Sequence, residues 1–334
     1  MRRGLFLGVA LAFGSAAAAF EARLEAPGAP EELRERLLGA SAVRSARAQD
    51  ITDPQEVFSA ALSEYRTLVS VLYDRGYFSP VVNVLIDGRE AAAIPPLNPP
   101  RQIDVVEIRV QPGPQFLFGT AEIGPLSQPT LRRGTPGATL PRGFRTGEPA
   151  TTGRIRDAAA AGITGWRQAG HAKAEVADQR IVANHAAARL DAEIRLAPGR
   201  KLSFGEMRIA PESARDSRVR EEAIRRIAGF PRGDTFDPAL AQKSAARLRR
   251  TGAFSAVSLQ EAETANPDGT LDYTVAVTDA PRRHISFGAE VESTEGLNLS
   301  FAWMHRNLFG GAERFRFETE VRGLNGEDDI DGRL

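Results

Sequence analysis

The chain has 334 residues, and its 43 Lys and Arg residues are balanced by 43 Asp and Glu residues, so its formal net charge is zero. Dedicated nucleic-acid-binding proteins usually carry a basic excess, and we expect no nucleic acid among the partners. The absence of cysteine excludes a disulfide scaffold, thiolate zinc sites and a cysteine nucleophile.

The N-terminus has the three parts of a Sec signal peptide. Arg2 and Arg3 precede an apolar run from Leu5 to Phe13, and three alanines at positions 17–19 form an A-x-A cleavage pattern. The run is too short to span a membrane, and no later stretch has the ~20 apolar residues of a membrane helix. We therefore predict a signal peptide over residues 1–19, with a buried N-terminal helix as the alternative. An exported chain of this kind could enter a membrane only as β-strands.

Three segments in the middle of the chain share one order of features. Each has a helix end, a glycine, a strand, a turn, a second strand, a turn with proline, and a new strand that begins near a glycine. The new strands are spaced by about 85 residues, which is longer than common solenoid repeats and fits small tandem domains. The helix-end glycines are Gly76, Gly170 and Gly252, and the strand glycines are Gly119, Gly205 and Gly288.

Helix starts are readable in the first and third segments. Asp53, Pro54 and Glu56 supply an N-cap, a first-turn proline and an N3 carboxylate. Asp237 and Pro238 repeat this start, and a further helix is predicted over residues 217–227. Strands such as LDYTVAVTD alternate apolar and polar residues, which predicts sheets covered by helices on one side. Each segment therefore reads β-α-α-β-β, and Arg89–Gln102 reads as an extended proline-rich loop.

After Pro281 the pattern contains strands alone. Stretches of roughly ten residues keep apolar residues at odd positions and polar residues at even positions, which is typical of membrane-barrel strands. The alternative is an amphipathic sheet in a soluble sandwich. Ile285, Phe287, Ala289 and Val291 mark the first strand. The predicted lipid-facing residues of the later strands are Leu297, Leu299, Phe301, Trp303, Phe315, Phe317 and Val321.

No motif for catalysis or cofactor binding is present. His171, His185, His284 and His305 are scattered without metal-ligand spacing. Nucleotide-binding and serine-hydrolase motifs are absent. We expect no catalytic, cofactor-binding or metal site and no enzymatic activity.

Three stretches of the sequence carry a family resemblance. These are YDRGYFSPVVNVLIDGR, LRRTGAFSAVSLQ and RRHISFGAEVESTEGLNLSFAWMHRNLFGGAERF. In this order, between a signal peptide and barrel-like strands, they resemble the Omp85 superfamily, and within it the outer-membrane subunit of the translocation and assembly module. The resemblance covers nearly all of the chain after residue 19. The Arg-Gly-Phe/Tyr loop motif of the family is absent, which we attribute to its place late in the barrel.

The resemblance implies an α+β fold with three tandem POTRA-like domains. They would span residues 20–113, 114–199 and 200–281, and residues 282–334 would begin an outer-membrane β-barrel. Three strands cannot close a barrel, which needs at least about eight, so we expect a longer chain.

The resemblance also implies a function without covalent chemistry. The protein would help fold, insert or secrete outer-membrane proteins such as autotransporters in a Gram-negative bacterium, with its POTRA domains in the periplasm. Open sheet edges would receive client strands by strand addition, and the first barrel strand would form one side of a lateral seam. Implied partners are unfolded outer-membrane proteins, outer-membrane lipid, and an inner-membrane-anchored periplasmic subunit that docks on the first domain. Two alternatives stay open: a two-partner-type secretion pore and a soluble periplasmic peptide-binding scaffold.

Overall fold

A computed structural model describes residues 20–128, 137–292, 296–324 and 332–333. The predicted signal peptide lies outside these residues. Three sheets interleaved with helices are followed by a fourth sheet without helices, so the predicted α+β class is confirmed. The helices are α1 (Glu31–Ala40), α2 (Ala42–Ala48), α3 (Pro54–Asp74), α4 (Thr152–Gln168), α5 (Pro211–Asp216), α6 (Glu221–Ala228) and α7 (Pro238–Arg250). The strands are β1 (Glu21–Glu25), β2 (Val81–Ile86), β3 (Arg89–Glu90), β4 (Val105–Gln111), β5 (Leu117–Gly124), β6 (Glu175–Asn184), β7 (Arg189–Ala197), β8 (Ser203–Ile209), β9 (Phe254–Glu261), β10 (Thr270–Asp279), β11 (Arg283–Glu292), β12 (Gly296–Arg306), β13 (Arg314–Leu324) and β14 (Gly332–Arg333).

The first three sheets share one strand order, in which the last long strand lies between the other two. The orders are β1-β4-β2-β3, β5-β7-β6 and β8-β10-β9, and we call these the first, second and third repeats. In the first and third repeats the outer first strand is parallel to the central strand, and the other neighbour is antiparallel. A parallel pair needs a crossover connection, which the helices provide. The repeated order supports the sequence repeat at the level of topology.

Helix α3 begins and ends as the sequence predicts. The Asp53 carboxylate accepts the Gln55 N–H at 2.8 Å, and Pro54 occupies the first turn. Gly76 takes a left-handed conformation, φ +86°, just beyond the helix. One helical face is buried, including Leu68 and Leu72. No helix in the described part of the chain is long and apolar enough to cross a membrane.

The helix count differs from the predicted β-α-α-β-β order. In the first repeat Ser41 is extended, with φ −61° and ψ 119°, and it separates α1 from α2, so three helices precede β2. In the third repeat α5, α6 and α7 precede β9. The helix predicted over residues 217–227 begins only at Glu221, because Ser217 and Arg218 bond to the Asp279 carboxylate instead. In the second repeat the described residues between β5 and β6 contain α4 alone.

The proline-rich insert is more ordered than an extended loop. It begins with strand β3 and a 3₁₀ turn over Ala91–Ala93. The Asn98 N–H then donates to the Pro95 carbonyl at 3.0 Å and closes a further turn. Buried Ile94 and Ile103 fix the two ends of the proline stretch in the core of the first repeat.

The same backbone junction occurs twice along the chain. In the first instance the Phe116 N–H donates to the carbonyl of the helix-end residue Gly76 at 2.8 Å, and the Ala150 N–H donates to the Phe116 carbonyl at 2.9 Å. Each junction satisfies the first residues of a new sheet with groups from both flanking segments. In the second instance the Leu202 N–H donates to the Gly170 carbonyl at 3.0 Å, and the Phe236 N–H donates to the Leu202 carbonyl at 2.9 Å.

The chain groups into two compact units. Counting described residues alone, one unit comprises the chain up to Ile123 together with Leu140–Ala160 and Asp178–Ile194. The other comprises the described residues between Gly124 and Thr139, Ala161–Ala177, and the described residues from Arg195 onward. The domain boundaries expected near residues 113, 199 and 281 stay predictions.

Candidate functional site

The fourth sheet is antiparallel, and its strands lie in chain order from β11 to β14. Ile285 pairs with Trp303, which pairs in turn with Phe317. Directly paired residues point to the same side of an antiparallel sheet, and the side alternates with every residue. The register therefore places all the predicted odd-numbered residues on one face, which we call the apolar face. They are Ile285, Phe287, Ala289, Val291, Leu297, Leu299, Phe301, Trp303, Phe315, Phe317 and Val321.

The apolar face is open to solvent in the described structure. Phe287 is 80% exposed and Val291 79% exposed, although both are large apolar residues. The rings of Phe287 and Phe301 lie 5.2 Å apart, and those of Phe301 and Phe317 lie 6.5 Å apart, so an aromatic row crosses three strands. A contiguous exposed apolar surface of this kind marks an interaction site for protein or membrane. That the face meets lipid stays a prediction.

The opposite face of the same strands is polar. Ser286, Glu290 and Ser300 alternate with the apolar set. Along β13, Arg316 bonds to Glu318 at 3.0 Å on this face. The sheet therefore separates an apolar side from a charged side, as strands between lipid and a polar lumen do.

Strand β11 lies at one edge of the fourth sheet. It pairs with β12 along its whole length, from Arg283 to Glu292, and no other described strand pairs with it. An edge strand presents unpaired N–H and C=O groups that can accept a further strand. The four residues predicted for the lateral seam lie on this edge strand, and their part in a seam stays a prediction.

The turn between β12 and β13 is bound to the third repeat. The Arg220 N–H donates to the Gly310 carbonyl at 2.9 Å, and Ala312 is buried in the core of the third repeat. Inside the turn, the Asn307 side chain accepts the Ala312 N–H at 3.1 Å. The Glu313 carboxylate accepts N–H groups of the turn backbone. Sequence reasoning missed this contact; the Asn and Gly residues of NLFGGAE signal a tight turn, but not its docking position.

The outer edges of the repeat sheets are covered to different extents. In the second repeat Phe118 exchanges backbone bonds with Gly147 and Glu148, which cover part of β5. On the outer side of β6 no described strand is paired, and its residues Ile181 and Val182 are 43% and 44% exposed. Such an edge can receive an extended polypeptide by strand addition.

A half-buried charge cluster lies between α4 and the third repeat. The Glu261 carboxylate accepts bonds from Arg167 at 2.8 Å and from Lys173 at 3.2 Å. Burial raises the pKa of Glu261, but the hydrogen bonds and charges of Arg167 and Lys173 outweigh burial and hold this pKa below its usual value. The Arg167 guanidinium also lies over the Phe236 ring, 5.2 Å from its centre. These contacts join the end of α4 to the third repeat within one compact unit.

The histidines do not converge. His171 bonds to the Gly199 carbonyl at 2.9 Å and His185 to the Ser79 hydroxyl at 2.7 Å, while His305 is buried at the end of β12. Within the described ranges no three His, Asp or Glu side chains gather as metal ligands.

Comparisons with known proteins give structural neighbours only. No family model matches the chain, and no curated protein sequence matches it. BamA POTRA3-5 from Haemophilus influenzae is similar at 14% identity and a TM-score of 0.49, over 78% of this chain and 96% of that one. BamA from Haemophilus ducreyi lacking POTRA domains 1-3 is similar at 17% identity and 0.44, over 54% of this chain. CdiB from Acinetobacter baumannii is similar at 10% identity and a TM-score of 0.33, over 63% of this chain and 39% of that one.

These neighbours are Omp85-family proteins with POTRA domains. The chain covers 33% of the Haemophilus ducreyi structure, which is well below two thirds of its length. At these identities and TM-scores no function follows from the likeness.

Proposed function

We propose that the chain belongs to an outer-membrane assembly factor of the Omp85 type, which helps outer-membrane proteins fold, insert or be secreted. The observation that carries the proposal is the apolar face of the fourth sheet, which is exposed, aromatic and continuous over three strands. A charged opposite face and strands of ten or eleven residues fit a sheet that enters a bilayer.

The proposed mechanism uses strand addition and no covalent chemistry, so the protein is not an enzyme. Unpaired edges such as β6 receive extended client segments in the periplasm. Strand β11 forms one side of a seam in the membrane, at which client strands pair before release. The contact between Arg220 and the β12–β13 turn would hold the third repeat to the membrane-proximal end of the sheet.

In its finer form the proposal is the outer-membrane subunit of a translocation and assembly module. Its clients would include autotransporters, and its partner would be a periplasmic subunit anchored in the inner membrane. Three repeats favour this subunit over a two-partner secretion pore, which usually has two. An N-terminal Sec signal would deliver the protein to the periplasm.

A soluble peptide-binding scaffold is the second candidate, and the open edge of β6 favours it. The two candidates differ in what the apolar face contacts. In a scaffold the face would be covered by protein, whereas in an assembly factor it would be covered by lipid.

The deciding experiment inserts the full-length protein into vesicles of outer-membrane lipid. Phe301→Arg combined with Phe317→Arg places two charges on the apolar face, at about 2–4 kcal/mol each near the membrane centre. Ser300→Arg combined with Ala302→Arg adds the same charge to the opposite face and serves as the control. We expect the first pair to stay in the soluble fraction on sedimentation and the control to insert. Equal insertion of both double variants would remove the membrane assignment.

A further inference from the structure

The apolar face of the fourth sheet carries a lone arginine at one end. The odd-numbered positions over 283–291, 297–305 and 315–321 hold apolar residues except Arg283, His305 and Thr319. The register places Arg283 directly opposite His305, and it places the next odd residue, Ile285, opposite Trp303. A cation on a face that is otherwise apolar is costly wherever water is excluded, unless an anion pairs with it.

The described part of the chain supplies no counter-charge to Arg283. Its side chain is exposed, and no described residue forms an ion pair or a hydrogen bond with its guanidinium. The cross-strand neighbour His305 carries no negative charge. In the turn beyond β12, the Glu313 carboxylate instead accepts the N–H groups of Phe309 and Gly311. Arg283 is therefore available to an anion from outside the described chain.

Arg283 lies at the end of the apolar face that is bound to the third repeat. Its partner His305 is followed directly by the β12–β13 turn, whose Gly310 carbonyl accepts the Arg220 N–H. Under the proposed function the third repeat is periplasmic, so this end lies at the periplasmic boundary of the bilayer. Trp303 is the diagonal neighbour of Arg283 on the same face. Tryptophan is enriched at such boundaries because its ring is amphipathic.

An apolar groove of about 420 Å³ lies further along the same face. Its lining combines the short side chains of Ala289 and Thr319 with the larger ones of Phe287 and Leu299. Ala289 is six residues beyond Arg283, which is about 20 Å along a strand. At the tilt of about 35–45° that barrel strands adopt, this length is a depth of about 15 Å, or half of the ~30 Å hydrocarbon core. The groove thus lies at the depth where the acyl chains of one leaflet end.

We propose that Arg283 and this groove together bind one anionic phospholipid of the periplasmic leaflet. The lipid phosphate pairs with the Arg283 guanidinium, the glycerol region lies beside Trp303, and an acyl chain follows β11 and β12 into the groove. A headgroup without an ammonium of its own is favoured, because the site offers a cation and no carboxylate. The inference rests on the proposed function, to which it adds a lipid class and a position beside the edge strand β11.

The test measures which lipids contact Trp303 in the full-length protein after insertion into vesicles. Phospholipids with brominated acyl chains quench tryptophan fluorescence on contact, and the quenching that disappears in Trp303→Phe belongs to Trp303. Brominated phosphatidylglycerol in unlabelled phosphatidylcholine is compared with the reverse labelling. At low ionic strength we expect phosphatidylglycerol to bind beside Trp303 about fivefold more tightly than phosphatidylcholine, which is the contribution of one arginine near an anionic lipid.

Three variants locate the site. Arg283→Gln should reduce the preference for phosphatidylglycerol to about one, and Arg283→Lys should keep most of it. Arg314→Gln is the matched control. Arg314 is also exposed and lies at the same end of the sheet, but its even position places it on the opposite face. We expect the fivefold preference to be unchanged in this variant.

Equal binding of the two lipids beside Trp303 in the wild-type protein would overturn the proposal. So would a preference that survives in Arg283→Gln, or one that Arg314→Gln lowers as much as Arg283→Gln does, because the overall charge of the protein would then account for it. These outcomes are measured on inserted protein, so they leave the proposed function standing. Failure of the wild-type protein to insert would instead refute the proposed function, and this site with it.

Discussion

Glu64 lies in the middle of α3 with no exposed surface. One carboxylate oxygen accepts the Ser41 hydroxyl and the Val43 N–H, and so ties α3 to the start of α2. The other oxygen has no partner among the described residues. Burial raises the pKa of Glu64, against the opposing effect of these hydrogen bonds.

Two substitutions separate the hydrogen bonds from the ionisable proton. Glu64→Ala leaves the buried Ser41 hydroxyl and Val43 N–H unpaired at about 1–3 kcal/mol each and opens a cavity, so we expect a loss of about 3–6 kcal/mol in unfolding free energy. Glu64→Gln keeps an acceptor for both donors but buries an amide NH2 where the other oxygen has no partner, so we expect a smaller loss of about 1–3 kcal/mol.

The pH dependence follows from the raised pKa. A group that holds its proton more tightly in the folded state contributes stability that is fully present below its unfolded pKa, about 4.3 for Glu, and is lost as pH rises through the folded pKa. The wild-type protein should therefore lose stability relative to Glu64→Gln as pH rises above about 4.

Hydrogen exchange of α2 and α3, followed through urea unfolding at several pH values, measures the effect in the first repeat. Glu56→Gln changes an exposed carboxylate on the same helix and is the control. The reasoning fails if wild-type and Glu64→Gln proteins show parallel pH profiles, or if Glu64→Ala is as stable as the wild type.

Three further predictions concern the repeats. Gly76→Ala should lower the unfolding free energy by about 2–4 kcal/mol, because Gly76 has a φ of +86° and the new Cβ would lie 2.5 Å from the Ala150 carbonyl oxygen. Gly88→Ala is the control: Gly88 has a φ of +78° in open space, so we expect a loss of about 1 kcal/mol, measured for both variants by denaturant titration. A carboxyl with a lowered pKa stabilises the fold above its unfolded pKa and loses that contribution as pH falls. Glu261→Gln should therefore make the unfolding free energy less dependent on pH on the acidic side, and an unchanged dependence below the unfolded pKa would contradict this. Asp237→Ala should cost about 1 kcal/mol through the lost cap on the Ala239 N–H, measured by thermal unfolding against wild type.

Local rules predicted the elements well where one residue decides the outcome. Both Asp-Pro helix starts, at Asp53 and Asp237, are confirmed by cap hydrogen bonds to the backbone. The common face of the fourth sheet was predictable because a strand alternates with a period of two, whatever its partners. The break at Ser41 was not, because its hydroxyl bonds to Glu64, 23 residues away.

The candidate surfaces depend on long-range pairing, which periodicity does not contain. Alternation in ISFGAEV predicts a strand but not that β11 lies at an edge. Nor does it predict that Arg283 lies opposite His305 rather than opposite a carboxylate. Docking of the β12–β13 turn likewise follows from a bond between Arg220 and Gly310, which are 90 residues apart in the sequence.

Because the same backbone junction occurs at two places, a segment of one repeat in length could be removed between them. Phe116 and Leu202 occupy equivalent places, each bonded to a helix-end glycine carbonyl before it and to an N–H after it. Suppose that residues 117–202 are removed and Phe116 is joined directly to Ser203. The Gly76 carbonyl would still accept the Phe116 N–H. The Phe236 N–H, which now donates to the Leu202 carbonyl, would donate to the Phe116 carbonyl instead. Removal or insertion of one such segment creates no unpaired backbone group at the splice. The backbone pairing would thus be kept in a chain shortened by one repeat, whereas Glu261 would lose Arg167 and Lys173, its partners from the removed segment.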